Sequence, residues 1–294
     1  MRKMINNFLK YTRCLASDRR AERSRLLPVL YWGVLLPLLV FQAACSQSSE
    51  AFLERGRSLL REQKYAEAVD FLSKAIERDD RNYEAFNARG VAYFELKKYP
   101  EAQLDYSRAI ELNPNFYKPY YNRARARTAQ RNLEGALQDY NRAIVLRPDS
   151  AELYFDRGYV LYEFSEQHST HITKLPAVKN GSASNSVADS SMRQALQNFD
   201  KAILLNPRNE NYYYNRGTVK ARLQDFPGAI LDFRQSIRLN GNFAKGYYSL
   251  GMSEILQKKP GDGCLHLQQA DKLGYPEAKA AMETYCRSQA KALQ

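Results

Sequence analysis

The chain has 294 residues, 44% of them hydrophobic, a formal net charge of +12, four cysteines and three histidines. That length exceeds one average domain, and so few histidines and cysteines exclude a densely ligated metal protein. Residues 1–44 hold eight Lys/Arg and two acids, so half of the positive excess sits there. The rest is spread thinly with no dense basic stretch, and no nucleic-acid partner is expected.

In chain order, Arg19, Arg20, Arg23 and Arg25 precede an apolar run over residues 26–41, then Gln42, Ala43, Ala44, Cys45 and Ser46. A basic region, an apolar core and small residues make an export signal. Small residues directly before a Cys resemble the bacterial lipoprotein cleavage box. The resemblance implies cleavage before Cys45, a diacylglycerol on its sulfur, and a short tether over residues 45–48. Two alternatives stay open. Residues 26–44 fall close to the ~20 apolar residues of an uncleaved membrane anchor, and cleavage as a free secreted protein is the third reading. In the first two, the arginines keep the N-terminus cytoplasmic, so the rest of the chain faces outward in the cell envelope.

From residue 49 the chain repeats. The unit 83–116 is 34 residues long, and its pattern recurs before and after it. Aromatics precede small residues by four: Phe86 and Gly90, Tyr120 and Ala124, Tyr154 and Gly158, Tyr213 and Gly217, Tyr247 and Gly251. The small residue is expected to let a second helix approach, with the aromatic filling the space beside it. Ala102, Tyr106 and Ala109 open a second set, repeated at Ala136, Tyr140 and Ala143 and at Ala195, Phe199 and Ala202. These spacings place each set on one helical face, and Pro114, Pro148 and Pro207 end the units. A fixed period of this size marks a stacked array.

The chain resembles a tetratricopeptide-repeat protein at these positions. The resemblance implies an all-α fold: a right-handed α-solenoid of about six helix–turn–helix units over residues 49–272, then a capping helix over 273–294. The units are 49–82, 83–116, 117–150, 151–209, 210–243 and 244 to about 271. The fourth is interrupted over 166–190 by a Ser/Asn/Ala/Gly-rich segment that reads as a mobile loop. Its His168 and His171 lack a third ligand.

Arg89, Arg123 and Arg216 each have an Asp sixteen residues later, at 105, 139 and 232. This reads as a structural ladder between the two helices of a unit. An arginine row for an acidic ligand is the other reading. The fourth unit keeps Arg157 but has Asn198, and the sixth has Leu250 and His266.

No phosphate loop, nucleophile–His–acid set or zinc-spaced cysteine pair is present, so no catalysis, cofactor or metal is expected. The resemblance implies a concave face built from the first helix of each unit, at its second, fifth, sixth, ninth and twelfth positions. The residues selected there are Asn87, Phe94, Tyr121, Asn122, Arg125, Phe155, Tyr159, Tyr162, Tyr214, Asn215 and Tyr248. Rings offer contact area, and Asn bonds a backbone as donor and acceptor. The expected partner is a protein or peptide; an envelope glycan on the same aromatic face is the alternative, as is plain packing of these rings between helices. The family's clamp for C-terminal carboxylates does not carry over. Its positions hold Asn87, Val91, Asn122, Glu152 and Asp156 in units two to four. Units four to six match at Asn215 and Lys245 but end in Ser249.

Cys264 opens the second helix of the last unit, and Cys286 lies near the end of a predicted amphipathic helix over 276–293 whose apolar face holds Ala278, Ala281, Met282 and Tyr285. Antiparallel packing would bring the two cysteines together, and export would let a disulfide persist. Two buried free thiols are the other reading.

Overall fold

The computed structural model describes residues 48–169 and 183–286. Among them are thirteen α-helices: α1 Ser49–Arg61, α2 Tyr65–Arg78, α3 Tyr83–Glu95, α4 Tyr99–Leu112, α5 Tyr117–Ala129, α6 Leu133–Leu146, α7 Ala151–Ser169, α8 Ala183–Leu205, α9 Glu210–Arg222, α10 Phe226–Leu239, α11 Ala244–Leu256, α12 Pro260–Lys272 and α13 Ala278–Tyr285. Each helix packs on its chain neighbours, and first helices of successive units also touch. This is an all-α solenoid. Its core is shared between units: Leu53, Leu59 and Leu72 cluster with Ala85, Ala88 and Ala92 of the next.

Local chemistry sets the boundaries. Ser48, Asn82, Asn132, Asn209 and Asp225 cap helix N-termini through their side-chain oxygens. Such caps satisfy backbone donors that the first turn leaves free. The helices α4, α6 and α8 stop two residues before Pro114, Pro148 and Pro207. Five of the within-unit turns place a non-glycine residue near φ +60°: Gln63, Lys97, Arg131, Gln224 and Lys258.

The ring beside each small residue differs from expectation. A Cβ on Gly90 would lie 2.6 Å from the Tyr106 ring, and on Gly158 or Gly217 it would lie 2.9 Å from Phe199 or Phe233. The second helix therefore supplies the ring, because its aromatic points straight at the gap. In the last unit no ring intervenes. A Cβ on Gly251 or Gly263 would meet the other's carbonyl oxygen at 2.7 Å, which explains glycine where alanine is usual.

The arginines form a ladder. The Nε and Nη2 of Arg89 donate to both oxygens of Asp105 at 2.8 Å, while its Nη1 donates to Ser73 Oγ at 3.0 Å. Arg123 repeats this with Asp139 and Ser107, and Arg216 with Asp232 and Asp200. Each guanidinium thus ties the second helix of its own unit to that of the unit before. Arg157 donates to the amides Asn198 and Asn141 and lies over the Tyr154 ring, and burial without a carboxylate pushes it down. The sixth rung is inverted. Glu254 is fully buried on α11, accepting from Arg234 at 2.8 Å and lying 2.6 Å from His266 Nδ1.

The segment 166–190 is not all loop. The helix α7 runs to Ser169 and α8 starts at Ala183. Ala188 and Met192 are buried in line with Ala195, a helical spacing that composition concealed, since no Gly or Pro interrupts residues 183–205. His168 lies on α7 against the Phe164 carbonyl at 2.8 Å. His171, the rest of 170–182, and Cys45 with its leader lie outside the described residues. The terminal helix starts later than expected: Pro276 precedes α13 instead of opening it, and Tyr285 is exposed. Cys264 and Cys286 are joined in a disulfide, with Cα atoms 5.9 Å apart.

Candidate binding groove

The first helices of the middle units enclose two cavities. The larger, about 750 Å³, is lined from α7 by Glu152, Phe155, Asp156 and Tyr159, from α9 and its approach by Asn209, Asn211, Tyr212 and Asn215, and from α11 by Lys245. The smaller, about 190 Å³, lies between α5 and the start of α7, beside Tyr121, Asn122 and Glu152. Glu152 belongs to both, so they adjoin.

The unit geometry explains why these residues meet. Equivalent positions stack one helix apart, so position five gives Tyr121, Phe155 and Tyr214 in successive units. The rings are packed on one side and open on the other. Phe155 lies 5.8 Å from Phe199 and 4.8 Å from Tyr212. Tyr121 lies 6.1 Å from Tyr140, and its hydroxyl donates to Glu152 Oε1 at 2.7 Å. Packing between helices and a groove surface are therefore two sides of the same rings.

Not all the sequence-selected residues gather here. Tyr121, Asn122, Phe155, Tyr159 and Asn215 line the cavities. Asn87 reaches them through a hydrogen bond from Asn122 at 3.0 Å. Phe94 packs with Ala102 and Tyr106 and carries Arg125 over its face at 4.9 Å. Tyr162 joins the Leu161 and Phe199 core cluster. Tyr214 sits between Phe233 and Phe243, and Tyr248 lies on Tyr275 at 4.7 Å.

Family models described as "Tetratricopeptide repeat" match residues 49–82, 83–116 and 106–138, and one described as "TPR repeat" matches residues 124–163. The chain contains tetratricopeptide repeats. Among curated relatives, the TPR repeat-containing thioredoxin TDX of Arabidopsis thaliana is 29% identical over 100 residues, 34% of this chain and 26% of that protein. The human (Homo sapiens) DnaJ homolog subfamily C member 7 is 31% identical over 90 residues, 31% of this chain and 18% of that protein. The chain thus spans about a quarter or less of either relative's length. In structure it is similar to Pseudomonas aeruginosa pilF, with TM-score 0.62 and 16% identity over 80% of this chain and 97% of that one. It is also similar to YrrB, described as a TPR protein with an unusual peptide-binding site, with TM-score 0.56 and 15% identity over 72% and 97%. Both likenesses show the fold.

What the tetratricopeptide pattern left unread is charge. Glu152 and Asp156 occupy the second and sixth positions of the fourth unit, and Lys245 the second of the sixth; the positional rule reached them, but rings, amides and Arg125 were selected. Burial pushes the Asp156 carboxyl up to about 6, and Glu152 adds to the rise, while the Tyr121 hydroxyl and Arg125 oppose it. Burial, the Asp156 charge and the bond to Glu152 together push the Tyr121 hydroxyl far up. Among the described residues, no helix is long and apolar enough to cross a membrane, and no group of His, Cys, Asp and Glu is placed to hold a metal ion.

Proposed function

We propose that this chain is an extracytoplasmic, membrane-tethered scaffold that binds a peptide segment of a partner protein in the groove between α5, α7, α9 and α11, without catalysing a reaction. The observation that carries the reading is the cavity of about 750 Å³, whose lining combines rings with asparagine amides from the first helices. An open groove of this kind accepts an extended chain: rings cover its side chains, and amides bond its backbone. The description of YrrB as having a peptide-binding site supports the reading by likeness. The tether is proposed from the sequence around Cys45, with lipid on its sulfur.

Photo-crosslinking from Tyr159 and Asn215 in intact cells, followed by mass spectrometry, tests the groove. Crosslinks to a defined segment of one protein are the expected result. Retention on purified cell-wall polymer without protein crosslinks would replace the scaffold by a glycan binder. A palmitate analogue should label the protein through Cys45, and Cys45→Ser should abolish the label. Persistent label in that variant would refute the tether.

A further inference from the structure

The groove's charges are arranged unlike those elsewhere in the solenoid. The helix α7 carries Glu152, Asp156, Glu163 and Glu166 on its exposed and half-buried faces. Glu163 pairs with Arg131 of the preceding unit, and Glu166 with Arg222 of the following one. Glu152 and Asp156 are in none of the ion pairs among the described residues; the neutral Tyr121 hydroxyl donates to Glu152 and lies near Asp156. The cations nearby, Lys245 and Lys118 on the cavity linings among them, lie over rings and bond neither acid. Arg125 lies over Phe94 and Tyr121 at 4.9 and 5.7 Å. Lys245 lies over Tyr214 and Phe243 at 4.6 and 4.9 Å, and Lys118 over Phe116 at 5.9 Å. Two carboxylates one helical turn apart therefore face a roomy cavity without an ion pair, Arg125 acting on Asp156 only at a distance.

Glu152 is exposed, but Asp156 is partly taken out of water, and a carboxylate so placed without a bonded cation costs stability. The fold had local means to avoid that cost, since it paired the other two acids of the same helix. We propose that Glu152 and Asp156 receive a lysine or arginine side chain of the bound peptide, so that this groove selects a basic segment. The proposal rests on the peptide-binding reading above. It assigns the groove the opposite polarity to a carboxylate clamp: where a clamp would need cations in this unit, the chain has two acids. The Phe155 and Tyr212 rings beside them suit the aliphatic stem of such a side chain, and Asn211 and Asn215 flank its backbone.

The test uses the full-length protein in detergent and a library of random nine-residue peptides graded by net charge, read by affinity selection and sequencing. The expected result is that retained peptides are enriched about tenfold in Lys and Arg over Asp and Glu. The enrichment should vanish in Glu152→Gln/Asp156→Asn and reverse in Glu152→Lys/Asp156→Lys. Circular dichroism checks that each variant keeps its helices; the amide variant removes a desolvated charge and should fold at least as well. Peptides retained without basic enrichment, or an enrichment that survives the amide variant, overturn the charge assignment while the groove stands. A wild-type protein that retains no peptide overturns both.

Discussion

Asp139, buried, and Asp156, half-buried, are carboxylates on adjacent units, yet they live in opposite circumstances. Asp139, on the seam between helices, receives Arg123 through two nitrogens and Arg127 through a third contact at 2.7 Å. Asp156, in the groove, lies near the Tyr121 hydroxyl, whose proton goes to Glu152, and is in no ion pair among the described residues. The seam needs charge satisfied to hold helices in register. The groove leaves charge unsatisfied, which destabilises the isolated chain and suits a site waiting for a counter-charge. The same residue type thus reports structure in one place and binding in the other, and its partners distinguish the two.

The largest test of that contrast is Asp139→Ala. It strands two guanidinium groups at a seam where the Asp side chain is only 5% exposed, and a loss of about 3–5 kcal/mol is expected in urea unfolding. The counterpart, Asp156→Asn, should move stability the other way, by about 1–2 kcal/mol at pH 7.5. The sign follows from the raised carboxyl. The folded chain holds a proton there up to about pH 6, against an ordinary value of 3.8. The penalty is therefore fully present above that pH and is relieved as pH falls toward 4. The groups facing Asp156 are Glu152 on its own helix, Tyr121 and Arg125 on α5, Tyr140 on α6 and Tyr212 on α9. The variant's advantage should shrink below pH 6 and vanish near pH 4. An Asp156→Asn variant that is less stable at pH 7.5 would place this residue with the seam.

A smaller effect is expected from Asn198→Asp, which offers Arg157 the carboxylate that the fourth rung lacks. The site is geometrically ready: Asn198 Cβ lies 3.1 Å from a Cβ built on Gly158, as Asp232 Cβ does from Gly217. The new charge gives up the bond from Asn198 Nδ2 to the Gln194 carbonyl. A net gain of about 1 kcal/mol in unfolding free energy is expected. No gain would mean that the amide rung is already as good as an ionic one.

The repeat period and the spacing of sixteen between Arg89 and Asp105 were legible because they recur, and recurrence lifts a weak local signal above noise. The inverted rung was not. Glu254, His266 and Arg234 each depart from pattern singly, and only folding shows that the three departures compensate. The start of α8 was hidden by composition: Ser and Asn suggested a loop, while Ala188, Met192 and Ala195 already had the spacing of a buried face. In the groove, Phe155 and Tyr159 stood out as rings. Glu152 and Asp156 stood at groove-facing positions too, but their meaning lies in which charges do not reach them, and that requires coordinates.

The inverted rung also limits how this array could have grown. Gene duplication lengthens repeat proteins by copying a unit into its own neighbourhood, which works where every junction presents the same partners. Up to the fifth unit, an incoming seventh-position arginine would meet Ser73, Ser107, Asn141 or Asp200, all of which accept its hydrogen bonds. A regular unit copied in between the fifth and sixth would instead set its arginine against Arg234 and leave Glu254 without that guanidinium. The last two units therefore work as a matched pair: separating them would cost the buried Glu254 its guanidinium.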